Sequence, residues 1–191
     1  MARERKFSTS ELFHVTKDIL LNHGYEGFTF SVVAERLDVS RGTVYKYYDN
    51  KEELITDYMV FEMNQFLADL VKIESYRDFE SQFEYLLNLI FKDSSIYKII
   101  EMVQHIPINI NSRVKENIEK LEKLRLDMYK DLQNFIRIGR EEQKLRADIP
   151  DGLLLGYIFQ SIAIPNHFGI PHSEWVHSIK EVIRHGMVTK R

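Results

Sequence analysis

The sequence contains no cysteine, which excludes both a disulfide framework and a thiolate metal site. It also lacks any apolar run approaching the ~18 residues that a membrane-spanning helix requires. The opening Met1-Ala2-Arg3-Glu4-Arg5-Lys6 is basic, but no apolar stretch comes after it to make a signal peptide. A cytoplasmic protein without a membrane partner is therefore expected. No segment alternates with period two for long enough to form a strand, and there is no internal repeat or low-complexity tract. HExxH, a Gly-rich phosphate loop and a nucleophile elbow are all missing. His167, His172 and His177 recur every fifth residue, a spacing that does not stack side chains on one helical face. No catalytic residue, metal site or cofactor is expected, and the chain is read as not an enzyme.

Excess positive charge is absent too. The net charge is −3, and residues 1–55 hold eight Lys/Arg against nine Asp/Glu. A chain that wraps nucleic acid everywhere should be basic throughout. Any nucleic-acid contact here must rest on a few placed cations, so placement carries the argument.

What is present reads almost entirely as helix, and 44% hydrophobic residues suffice for a real core. Ser8 and Glu11 form a capping box, with Phe7 placed to staple onto Leu12. Leu12, Val15, Ile19 and Leu20 make one apolar face, and Gly24 stands where a helix ends on positive φ. Thr29 caps a short second helix whose inward residues are Val32, Val33, Ala34 and Leu37. Asp38-Val39 is a turn, and Ser40 caps a third helix predicted to run through about Tyr47. Asn50, with Glu53 at the box position, opens a fourth helix over 49–72. No Pro/Gly/Ser linker separates this head from the remainder of the chain. Further helices are predicted near 78–92, 94–106, 113–145, 150–167 and 173–188.

Residues 29–54, TFSVVAERLDVSRGTVYKYYDNKEEL, are the informative part. Two short helices meet through a tight turn, and the second is too short to be stable alone. Its inward positions are Val44 and Tyr48. Its outward ones are Arg41, Gly42, Thr43, Tyr45, Lys46 and Tyr47, a mixture of cation, hydroxyl and aromatic groups that suits a major groove.

Here the sequence resembles the TetR (tetracycline-repressor-like) family of regulators. The residues that carry the likeness are Gly24, Tyr25, Thr29, Val33, Ala34, Val39, Ser40, Gly42, Val44, Tyr45, Tyr47, Lys51, Glu52 and Leu54, at matching offsets across about residues 10–55. Asp38 stands where the family often has Gly, and Tyr48 where Phe is usual. The resemblance implies that Arg41, Gly42, Thr43 and Lys46 face base edges and nearby phosphates, with Ser40 opening the helix that bears them. Tyr45 and Tyr47 would touch phosphate or thymine methyls. Thr29 and Lys51 would grip the backbone at helix starts, and Arg3, Arg5 and Lys6 would form an arm along the duplex.

The expected fold is all-α. An N-terminal three-helix helix-turn-helix head (DNA-binding domain, 1–50) is joined by a long helix to a C-terminal helical body for effector binding and dimerisation (51–191). The expected partners are a palindromic double-stranded operator, a second copy of the chain through the last two helices (about 150–188), and a small, largely apolar effector. Residues 153–164 are apolar on nearly every face, and a helix of that kind needs cover on all sides. Phe61, Phe66, Phe91, Met102, Met128, Phe135 and Phe159 are candidates to line an effector cavity, with His105, Gln160 and Asn166 as polar handles. The alternatives are a DNA-binding dimer without a small-molecule effector, or a small helical enzyme or sequestering protein, which nothing in the sequence recommends.

Overall fold

A computed structural model describes residues 7–93, 95–103 and 106–187. Its regular elements are helical: α1 (Thr9–Gly27), α2 (Phe30–Arg36), α3 (Arg41–Val44), α4 (Lys51–Leu70), α5 (Phe79–Phe91), α6 (Ser95–Val103), α7 (Ser112–Asp131), α8 (Gln133–Glu141), α9 (Asp151–Gln160) and α10 (His172–Met187). Among the described residues, no helix is long and apolar enough to cross a membrane. Arg3, Arg5 and Lys6 of the predicted arm, and His105, lie outside the described residues.

The chain forms two compact units. One comprises the residues up to Asn64 with Ser95–Lys123; the other comprises Gln65–Ser94 with the chain from Leu124 onward.

The first unit begins as its local signals dictate. Glu11 N donates to Ser8 Oγ (3.0 Å) and Ser8 N to Glu11 Oε2 (2.6 Å), closing the capping box. Gly24 interrupts α1 with φ 67°, the left-handed value expected of a glycine at that point. Thr29 caps α2 by accepting from Val32 N, and Asp38 turns the chain at φ 50°. Phe28, Phe30, Val33, Ala34, Val44, Tyr48, Leu54, Ile55 and Tyr58 are buried together with Leu12, Ile19 and Leu20. Ile99, Ile106 and Val114 join the same core, so it draws on more chain than residues 1–50.

In the second unit Asp78 caps α5 through Ser81 N (2.8 Å). Phe79, Phe83 and Phe135 stack with ring centroids 5.1–6.4 Å apart. Gly139 has room for nothing larger, because an added Cβ would lie 2.7 Å from both Leu145 Cδ1 and Phe79 Cδ2. Leu154, Leu155, Ile158, Ile179 and Ile183 complete the buried set.

Three predicted helices differ from those observed. The 113–145 segment is two helices, bent at Leu132 (φ −83°, ψ 0°). The hydrogen-bond ladder persists across the bend through Leu132 N to Met128 O and Ile136 N to Leu132 O. The second piece stops at Glu141, where Gln143 takes φ 57° and the Lys144 and Leu145 amides fold back onto Gly139 O. The 150–167 helix ends at Gln160, with one tighter turn after it, because Ile164 precedes Pro165 and is forced extended (ψ 118°). The third helix of the head is regular only from Arg41 to Val44, and turns carry the chain on through Tyr47.

Candidate nucleic-acid interface

α3 is a single turn, too short to hold itself together. Val44 and Tyr48 fasten it from below, 1% and 4% exposed. Burying two such side chains supplies roughly 1.5–3 kcal/mol each, enough to fix a stub whose own ladder contributes little. Thr43 N donates to Ser40 O (2.8 Å), and the Tyr47 and Tyr48 amides both donate to Val44 O. Ser40 occupies the N-cap position but makes no side-chain cap. Its hydroxyl pairs instead with Thr43 Oγ1 at 2.9 Å, so two of the predicted contact hydroxyls are joined to each other.

This anchoring turns the predicted reading face outward. Arg41, Gly42, Tyr45 and Lys46 are exposed, Thr43 and Tyr47 half-buried. The aromatic residues are braced edge-on, Tyr45 by Phe30 (centroids 4.9 Å) and Tyr47 by Phe7 (5.5 Å). Arg41 lies along Tyr45, its Nη2 donating to the phenol oxygen at 2.8 Å and its Cζ 5.2 Å from the ring centre. A long cation is thereby ordered before any ligand arrives, which lowers the entropy lost on binding.

Thr29 is exposed at the start of α2 and Lys51 half-buried at the start of α4. Lys51 has a partner: Nζ donates to Tyr25 O (2.9 Å) and stands 3.8 Å from the Tyr25 ring centre. The Tyr25 hydroxyl in turn donates to Glu52 Oε1 (2.6 Å). Burial, then the Glu52 carboxylate, push the Tyr25 phenol well above its ordinary pKa, so it remains a neutral donor. The Tyr25–Lys51–Glu52 cluster spans 27 residues, and periodicity gave no sign of it.

The candidate effector residues divide between the units. Phe61 packs on Phe13 (5.0 Å) in the first, which also contains Met102. Phe66 and Tyr129 both meet Phe159 in the second (6.2 and 5.8 Å), while Phe135 belongs to the Phe79–Phe83 stack. Phe91 and Met128 are buried there and Gln160 is exposed. The Asn166 amide is used locally, donating to Ile170 O and accepting from Ile170 N. An open groove of about 430 Å³, lined by Tyr76, Glu80, Ser81, Glu84, Tyr85, Asn88 and Arg184, contains none of the predicted lining residues.

Residues 12–58 match the model of the bacterial regulatory proteins of the tetR family. The chain is 23% identical over 100 residues to IcaR of Staphylococcus epidermidis, the HTH-type negative transcriptional regulator of the biofilm operon icaADBC. That match covers 51% of this chain and 54% of the relative, so it spans about half of the curated protein. The fold is shared over nearly the whole length with the ketosteroid transcriptional regulator KstR2 of Mycobacterium tuberculosis (TM-score 0.71, 15% identity, 100% of this chain and 98% of that one). It is shared likewise with the transcriptional regulator FadR of Bacillus subtilis, solved with stearoyl-CoA (TM-score 0.69, 16% identity, 94% and 99%). With a helix-turn-helix head that fits the family model and an all-α fold common to its members, the chain belongs to the TetR family of bacterial regulatory proteins.

Proposed function

We propose that the protein is a DNA-binding transcriptional repressor that works in the cytoplasm as a homodimer on a palindromic operator and leaves it on binding a small, largely apolar effector. Residues 1–50 act as the DNA-binding domain and 51–191 as the effector-binding and dimerisation domain. The observation that carries this reading is the outward face of α3, where Arg41, Tyr45 and Lys46 are exposed above buried Val44 and Tyr48. Arg41, Gly42, Thr43 and Lys46 meet base edges and phosphates, and Tyr45 and Tyr47 meet phosphate or thymine methyls. Thr29, Ser40 and Lys51 position the backbone. No catalytic role is proposed for any residue.

Dimerisation through about 150–188 is supported by apolar side chains that their own unit leaves open. Leu153, Tyr157 and Val182 on α9 and α10 are 62%, 44% and 58% exposed. A two-fold pairing of such a face is self-complementary, and it sets two reading stubs on half-sites about 34–36 Å apart.

An apolar effector is supported by the Phe66–Phe159–Tyr129 group and by the stearoyl-CoA held by the FadR relative. Phe61, Phe91, Met102, Met128, Phe135, Gln160 and Asn166 remain proposed contributors. The effector would act by favouring a conformation with weaker operator affinity, and it shifts the equilibrium only by its differential affinity for the two states. Selection of bound sequences from random DNA by the full-length protein at stated salt tests the core of this reading. A palindrome is the expected result, and recovery of no enriched sequence refutes it.

A further inference from the structure

The reading stub ends with carbonyls that have no partner inside so short a helix. One of them, Tyr47 O, is met from 66 residues away: Arg113 Nη1 donates to it at 2.8 Å. The same guanidinium lies over the Tyr48 ring, 4.5 Å from its centre, and its Nη2 pairs with Asp57 Oδ2 on α4. Burial works to lower the Arg113 pKa, but Asp57, Tyr48 and Glu53 outweigh it, so the cation is held firmly charged. One planar fork therefore joins three elements: the end of the stub, α4 and the first turn of α7.

Asn111 and Glu53 reinforce the joint. Asn111 Oδ1 caps α7 through Val114 N, while its Nδ2 donates to Glu53 Oε1 at 2.7 Å. Glu53 is only 4% exposed, and its other oxygen accepts from Asp49 N (2.9 Å) at the start of α4.

We propose that Arg113 is a positioning residue for DNA reading. It fixes the C-terminal end of the α3 stub against α4 and the start of α7, and sets the presentation of Arg41 and Lys46 without itself contacting phosphate. The inference rests on the proposed DNA-binding function, but the clamp can be measured without DNA.

The experiment compares wild type, Arg113→Met, Arg113→Lys and, as the milder second variant, Asp57→Asn, all full length. One arm reads amide hydrogen exchange at Lys46, Tyr47 and Tyr48 without DNA. The other reads affinity for a selected operator across a salt series. Arg113→Met is expected to lose about tenfold or more in protection and in affinity, as for a charge-assisted hydrogen bond removed. The slope of log affinity against log salt should stay unchanged. Asp57→Asn should move both readouts the same way by less. Arg113→Lys should fail to restore them, since an ammonium cannot serve the carbonyl, the ring and the carboxylate together.

A slope reduced by about one unit in Arg113→Met would make Arg113 a phosphate contact and overturn the proposal. Wild-type protection in Arg113→Met or Arg113→Lys would overturn it as well. If the wild type binds no DNA the functional reading fails, while the exchange arm still decides for or against the clamp.

Discussion

Arg41 donates to the hydroxyl of Tyr45 one helical turn further on, at 2.8 Å, and Phe30 holds the ring of Tyr45 edge-on from below. The cation that leads the reading face thus has a scaffold. Replacing Arg41 with Ala should cost about 1–3 kcal/mol of operator binding and flatten base preference at one position per half-site. Tyr45→Phe keeps the ring and its Phe30 contact, so it should weaken binding less and leave the preferred base unchanged. Anisotropy titrations against operators substituted one base pair at a time separate the two outcomes.

Lys46 is exposed beside that scaffold. As a phosphate contact, Lys46→Ala should weaken binding evenly across all operator sequences. It should also reduce the salt slope by about one unit. A sequence-dependent loss would instead assign Lys46 to base reading.

Two glycines are expected to resist alanine for different reasons. Gly24 has open space around its Cα but φ 67°, so Gly24→Ala should cost about 1–2 kcal/mol through backbone strain alone. At Gly139 the new methyl would strike Leu145 and Phe79, an overpacking cost of about 1–3 kcal/mol. Denaturant melts report both. Only the Gly139 variant should also disturb the near-ultraviolet signal of the surrounding aromatic residues.

Acid sensitivity arises from the caps. Hydrogen bonds from Ser81 hold the Asp78 carboxyl below its ordinary pKa, and those from Ser8 do the same for Glu11. A depressed folded pKa contributes stability that is fully present above the unfolded value, about 3.9 for Asp and 4.3 for Glu. That contribution is lost as pH falls from there through the folded values. Chemical melts should therefore be flat near neutrality and weaken below about pH 4, with a shallower decline for Asp78→Asn than for wild type.

Placing charge on the open face of the last two helices should separate the subunits. Val182→Arg and Leu153→Arg sit where the single chain leaves apolar surface, so neither should unfold the monomer. Sedimentation should show a shift from dimer to monomer, with operator affinity falling in step. Unchanged dimers would move the interface elsewhere.

Legibility in the sequence tracked distance along the chain. The Ser8–Glu11 box, the Thr29 cap and the turns at Gly24 and Asp38 are local devices, read within four residues and found where expected. The inward pair Val44 and Tyr48 was equally plain, because spacing of four defines a helical face. Helix ends set by tertiary packing were not. Nothing in the apolar pattern of 113–145 marks the bend at Leu132. Pro165 did announce the end of α9, but only through its effect on the residue before it. Least visible were Lys51 with Tyr25 and Arg113 with Tyr47, pairs 26 and 66 residues apart. Periodicity assigns a face to a helix, whereas these contacts depend on which faces meet.

Glu53 receives Asn111 on one oxygen and the Asp49 amide on the other, so two helix beginnings share a single carboxylate. Positions 53 and 111 are therefore constrained as a pair across evolutionary time. Change at either one alone strands a polar group in the interior, so relatives should exchange these residues jointly or keep both.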